Sequence, residues 1–226
     1  MIGIIGAMKI EVEIIEAALE EKQERKIGLI RFISGKLNGV DTVAAVCGIG
    51  KVAAAICAQT MILEYSPDCI INTGVGGSLD PSLNIGDVLI ADDLCQHDMD
   101  TSPIGDERGL ISGLNLVYIP TDRKVTETLL KSAGDVRAVR GRIATGDQFV
   151  ADDRTKAFIA DTFKANVCEM EGASIAQVCY SAGVPFGVVR AVSDCADGSS
   201  HMDYNEFLPA AAKNAAVIIK RFVKIY

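Results

Sequence analysis

Four charged residues occupy places where a purely structural role would be costly. Arg190 sits inside, and Asp194 at the end of, Val188-Val-Arg-Ala-Val-Ser-Asp194, an apolar β-branched run that reads as a core strand between Pro185 and Asp197-Gly-Ser-Ser200. Buried without partners, each charge would lose several kcal/mol of hydration, so both need partners or a wet cleft. Glu11 follows the apolar run 2–5, and Glu171 stands with Glu169 just after Val167. Carboxyl groups gathered in one cleft can protonate a leaving group and guide a water. Each also has a plain structural explanation. Arg190 and Asp194 could close a strand end as an ion pair, and Glu11 could be a solvated residue in a first helical turn, where the helix dipole favours it. Glu169-Met170-Glu171 could be a surface loop, and Gly74 to Gly77 a tight strand-to-helix turn. Coincidence at one rim favours a site.

The elements that would carry these residues alternate. Residues 2–5 read as a strand ending at Gly6, and 9–22 as a helix with Ile10, Ile14, Ala17 and Ala18 on one face. Residues 27–37 and 40–47 form a hairpin about Asn38-Gly39, and Cys47-Gly-Ile-Gly-Lys51 opens an Ala-rich helix over 52–64. Strands over 69–72, 88–92 and 142–144 follow, with helices over 121–133, 152–162 (Phe158 and Ile159 inward), 173–181 and 205–223. Residues 96–110 read as a polar loop carrying His97, a surface or ligand-edge residue; His201 after its Gly-Ser-Ser turn reads the same way. This order predicts one domain over 1–226, an α/β fold with three α/β/α layers and a mixed, mostly parallel central sheet. In such sheets ligands bind beyond the carboxyl ends of the strands, where Glu11, Gly74 to Gly77, Phe149-Val150, Glu169, Glu171 and Ser193-Asp194 all fall.

Composition narrows the partner. The 226 residues are 49% hydrophobic with net charge −8, and the isoelectric point is near 4.8 with mean hydropathy +0.27. A nucleic-acid partner is disfavoured, since phosphate binding concentrates Lys and Arg. Seven scattered cysteines without a C-x-x-C pair read as reduced core thiols of a cytoplasmic protein, not a disulfide frame or zinc site. No stretch has signal-peptide or membrane-spanning character. Gly48-Ile-Gly-Lys51 lacks the P-loop spacing and Gly3-Ile-Ile-Gly6 the dinucleotide pattern, so no nucleotide cofactor and no metal is expected. A G-x-S-x-G elbow is also missing, and two histidines make no triad.

Gly3-Ile-Ile-Gly-Ala-Met8 with Glu11, Gly48-Ile-Gly-Lys-Val-Ala-Ala54, Ile71-Asn-Thr-Gly74, Gly146-Asp-Gln-Phe149, Glu169-Met-Glu171 and Arg190-Ala-Val-Ser-Asp194 together resemble the bacterial 5'-methylthioadenosine/S-adenosylhomocysteine nucleosidases of the nucleoside phosphorylase superfamily. The resemblance covers nearly the whole chain. It implies hydrolysis of the adenine–ribose bond in methylthioadenosine, S-adenosylhomocysteine and 5'-deoxyadenosine by a homodimer whose subunits share each active site. By the same resemblance Asp194, oriented by Ser193, protonates adenine at N7, and Glu11 activates water with help from Arg190. Glu171 and Met170 hold the ribose, Phe149 stacks on the purine, and the Val150 backbone bonds its Watson–Crick edge. Ile49 and Gly76 join the substrate-binding set, with Tyr204 and Ile104 at the 5'-alkylthio pocket.

The chain departs from that pattern at three places. Val75 stands where better-known members carry serine, Ile104 and Asp106 where a neighbouring subunit usually supplies aromatics, and Tyr204 where a phenylalanine is usual. Two rival activities share the superfamily. A phosphorylase would need cations around phosphate, which Glu11 would repel, and a futalosine-type hydrolase would differ only in the 5'-group. A nucleoside-binding module needs neither acid nor water base, so keeping Glu11, Glu171 and Asp194 argues against one.

Overall fold

The structure is a computed structural model. It describes residues 1–194 and 206–226 in full, and the backbone alone at 200–205. The elements are β1 (Ile2–Gly6), α1 (Lys9–Ala18), β2 (Glu20–Ile27), β3 (Ile30–Leu37), β4 (Val40–Val46), α2 (Lys51–Tyr65), β5 (Cys69–Ser78), β6 (Val88–Gln96), β7 (Ile119–Pro120), α3 (Arg123–Lys131), β8 (Ala138–Thr145), α4 (Asp153–Phe163), β9 (Val167–Glu169), α5 (Gly172–Ala182), β10 (Phe186–Asp194) and α6 (Ser200–Ile225).

The central strands are largely apolar because both faces are covered, and successive side chains go to opposite layers. Ile5, Ile70, Leu89 and Val188 pack under α2 and α5. Their neighbours Ile4, Ile71, Ile90 and Val189 pack under α1, α3 and α6, where α6 contributes Ala211, Ala215, Ile218, Ile219 and Phe222. These are the three expected layers. A smaller cluster joins Ile159 and Phe163 of α4 to Cys95 and Ala144.

The sheet is mixed. β4, β1, β5 and β10 run parallel in that order, and β6, β8 and β9 are parallel to one another. Antiparallel pairs join the two runs: β10 with β6, and the end of β5 with β9 at Gly77–Cys168 and Ser78–Val167. The ladder β5-β10-β6-β8-β9 therefore returns to β5 and closes a ring. The ends of β1, β9 and β10 meet the glycine run of β5 at one place.

Four local expectations are corrected. The helix expected over 9–22 stops at Ala18, and Glu20–Ile27 is a largely charged edge strand exposed along nearly its length. Its sequence has no alternation, so only pairing with β3 makes it a strand. The strand expected over 69–72 runs on through Gly74 to Gly77 to Ser78, because β10 on one side extends its ladder there. Phe158 is exposed, and the inward face of α4 is Lys156, Ile159 and Phe163 at helical spacing. His97 is buried, its amide continuing the β6–β8 ladder to the Thr145 carbonyl at 2.9 Å.

Candidate active site

Glu11 occupies the third position of α1, and there its carboxylate turns back on the chain that leads in. Its Oε2 accepts the amides of Ala7 and Met8 at 2.8 and 2.9 Å, and its Oε1 accepts the Val75 amide at 3.1 Å. This fixes the carboxylate between β1 and β5. Close approach needs Gly74, since a Cβ there would fall 2.6 Å from Glu11 Oε1 and 3.4 Å from Arg190 Nη1. Burial raises the Glu11 pKa, opposed by the Arg190 charge and the three amides.

Arg190 is 1% exposed and stays behind the cavity wall. It does not pair with Asp194. Its Nε donates to Glu169 Oε2 at 3.1 Å, its Nη2 to the same oxygen and to Asn72 Oδ1 at 2.6 Å, and its Nη1 to the Val189 carbonyl at 3.0 Å. Asn72 in turn donates to the Ile5 carbonyl at 2.9 Å. Glu169 also accepts the Gly172 amide at 2.8 Å, the Glu171 amide at 3.0 Å and the Thr145 hydroxyl. It is thus the counter-ion of Arg190 and the cap of α5. Removing one member of a buried pair typically costs about 3–5 kcal/mol, so Glu169 and Asn72 support the site through Arg190.

Glu171 points the other way. Its Oε1 accepts the Gly50 amide at 2.8 Å, tying β9 to the start of α2. Its pKa is pushed up to about 7, first by burial and then by the charge of Glu169, against the pull of Arg190. Close to α2, the Asp147 carboxylate accepts the Lys51 amide at 2.8 Å, its own amide donates to Asp98 at 2.9 Å, and Asp98 accepts Lys51 Nζ at 2.7 Å. These bonds tie the segment that leads to Phe149 to the start of α2.

Asp194 ends β10, where a register shift after Val192 swings it over Gly77. A Cβ on Gly77 would lie 2.9 Å from Asp194 Oδ2. Ser193 Oγ donates to Asp194 Oδ1 at 2.9 Å, and Lys156 Nζ lies 4.0 Å from Oδ2.

These residues surround a cavity of about 390 Å³ lined by Ala7, Met8, Glu11, Ile49, Val75, Gly76, Gly77, Gln148, Phe149, Val150, Cys168, Glu169, Met170, Glu171, Ser193 and Asp194. That size suits one small organic ligand. Of the residues expected from sequence, Glu11, Glu171, Asp194, Ser193, Phe149, Val150, Met170, Ile49 and Gly76 meet at its wall. Arg190 stands behind it, and Ile104, 81% exposed, is not in this chain's cavity wall. The Tyr204 and His201 side chains lie outside the described residues. Lys156 and Asn72 were missed. Lys156 was legible as a lysine three and seven residues before Ile159 and Phe163, on the face that a helix must bury. Among the described residues no cluster of three His, Cys, Asp or Glu side chains could hold a metal ion.

The family model of the phosphorylase superfamily matches residues 1–224. The chain belongs to the phosphorylase superfamily. Among its relatives, the 5'-methylthioadenosine/S-adenosylhomocysteine nucleosidase of Shewanella halifaxensis (strain HAW-EB4) is 39% identical over 226 residues, covering 99% of this chain and 98% of that one. Two solved structures of the superfamily are similar over their full length. The nucleosidase of the same description from Neisseria meningitidis, in complex with methylthio-immucillin-A, superposes with a TM-score of 0.96 at 34% identity, covering 100% and 99% of the two chains. The native futalosine hydrolase of Helicobacter pylori strain 26695 gives 0.95 at 35% identity, covering 100% and 97%.

Proposed function

We propose that this chain is a one-domain nucleosidase that hydrolyses the N-glycosidic bond of 5'-methylthioadenosine, S-adenosylhomocysteine and 5'-deoxyadenosine, releasing adenine. The observation that carries this reading is the placement of two buried carboxylates in the wall of one cavity. Glu11 lies over Gly74 and Asp194 over Gly77, two different points of β5. One carboxyl group can therefore serve the leaving group while the other guides a water, the division of labour that breaking a glycosidic bond needs.

In this mechanism the purine stacks on Phe149, with its far edge on the Val150 backbone and N7 toward Asp194. Glu171 and Met170 hold the ribose. Asp194 gives its proton to N7 as the C1'–N9 bond breaks, because adenine leaves poorly as an anion. Glu11 takes a proton from the water that attacks C1', and Arg190, fixed behind it, favours the ionised form of that carboxylate against the effect of burial. Against phosphorolysis stands the wall itself: among the described residues it contains four acidic side chains and no lysine or arginine. Phosphate would be repelled.

The same reading takes the protein as a cytoplasmic homodimer with shared sites. Val52, Ile56 and Leu63 form an exposed apolar stripe along the outer face of α2, opposite the buried Ala54, Cys57, Ala58 and Met61. An apolar stripe of this kind commonly marks an interface. Ile49, just before α2, already lines the cavity, so a partner seated on the stripe would reach its mouth. The six described cysteines are free and buried, which fits a reducing compartment, and no helix among the described residues is long and apolar enough to cross a membrane.

The test is adenine release from methylthioadenosine with and without phosphate, with the sugar product weighed, and futalosine run beside it. Equal rates and a free sugar are expected. A phosphate requirement or a sugar 1-phosphate would make the chain a phosphorylase, and a strong preference for futalosine would reassign the 5'-group.

A further inference from the structure

Lys156 is 3% exposed and projects from the inward face of α4, where a leucine or methionine would pack without any cost of desolvation. Its ammonium lies 4.0 Å from Asp194 Oδ2, while Oδ1 of the same carboxylate is held by Ser193. A charge retained in such a place invites a role tied to its partner. We propose that Lys156 acts through Asp194, its buried ammonium stabilising the carboxylate that Asp194 becomes as it passes its proton to the purine.

The inference rests on Asp194 being the acid. In the step, the O–H bond of Asp194 breaks and an N–H bond forms at N7, while the C1'–N9 electron pair leaves with adenine. Water supplies oxygen to C1' and a proton to Glu11. Negative charge is thereby created on Asp194 in a wall already carrying Glu11, Glu169 and Glu171, where it would otherwise be strongly disfavoured. Among the described residues, the other titratable groups facing the pair are the Cys168 thiol, pushed up to about 12 mainly by burial, and Glu169, which Arg190 engages. Asp153, Arg154 and Asp161 of α4 itself are exposed to solvent. Among the described residues, Lys156 is the cation placed to offset the new charge. It is a positioning residue, since it touches Asp194 and not the substrate.

The experiment compares kcat/KM against pH for wild type, Lys156→Met and Lys156→Arg, with Asp194→Asn alongside and circular dichroism on each. Loss of the neighbouring positive charge makes Asp194 a weaker acid that holds its proton to higher pH. In Lys156→Met the alkaline limb should move up by about 1 pH unit or more, while the plateau below it falls by roughly 3- to 30-fold. Lys156→Arg keeps the charge and should return the limb to the wild-type position, whatever its rate. A folded Lys156→Met whose limb does not move overturns the proposal. So does a displaced limb in Lys156→Arg, which decides the matter if the methionine variant fails to fold. Failure of the underlying reading looks different: Asp194→Asn would then keep activity within about tenfold of wild type, too small a loss for the principal acid.

Discussion

At the scale of single residues, the site separates its carboxylates by environment. Glu11 and Glu171 are both buried and both raised, yet Glu11 rests on three amides beside Arg190 whereas Glu171 has one amide and a like charge nearby. Glu171 therefore contributes a pH-dependent strain. Its folded pKa, about 7, lies above its ordinary value of 4.5, so the native state binds the proton more tightly than the unfolded chain. The resulting stability is fully present below the unfolded pKa and is lost as pH rises through the folded one. Glu171→Gln, which cannot ionise, should melt at increasingly higher temperature relative to wild type as pH goes from 5 to 8, while losing adenosine-type substrates through weaker ribose binding. Calorimetry across that range checks the sign; a difference independent of pH would show that Glu171 is not held protonated by the fold.

At the scale of elements, β5 carries the geometry. A strand with glycines at 74, 76 and 77 gives up side-chain packing, and here the space is filled by the functional groups of other elements, Glu11 from α1 and Asp194 from β10. Gly74→Ala would place a methyl 2.6 Å from Glu11 Oε1, and the carboxylate must move. Because a displacement of about 1 Å in a catalytic group can cost ~10²-fold, kcat/KM should fall by roughly that factor or more, with stability changed far less. Gly113→Ala, whose new Cβ would meet open space, should change neither and serves as the control. A Gly74→Ala enzyme with near-wild-type turnover would mean that the Glu11 position is not critical.

At the scale of the whole molecule, the α2 stripe is the surface whose occupancy matters. Replacing both Val52 and Ile56 by aspartate puts charge in the middle of it, and sedimentation at micromolar protein should show a dimer for wild type and a monomer for this variant. If the partner walls the 5'-group, the monomer should also show a Michaelis constant for methylthioadenosine raised by about tenfold, or ~1.4 kcal/mol, the scale of one lost apolar contact. A monomeric variant with unchanged kinetics would confine the site to one chain.

Much of this protein was determined by sequence alone. Apolar runs of the right length, the Asn38-Gly39 turn and the amphipathic helices set the α/β layers, because hydrophobic period and turn chemistry are local properties. The motifs around Glu11, Phe149, Glu171 and Asp194 marked the cavity wall for the same reason: each functional residue stands at the end of a recognisable strand or within a few positions after it. What the sequence left open depended on contacts between distant segments. Glu20–Ile27 is a strand only because β3 pairs with it, and Gly74 to Gly77 stay extended only because the ladder of β10 holds them. The partner of Arg190 is Glu169 and not Asp194, a choice made by the register of β10 against β5 and by the shift after Val192. Lys156 meets Asp194 across 38 positions of sequence. Burial and electrostatic pairing are set by proximity in space, and proximity between segments exists only once the ring of strands has closed.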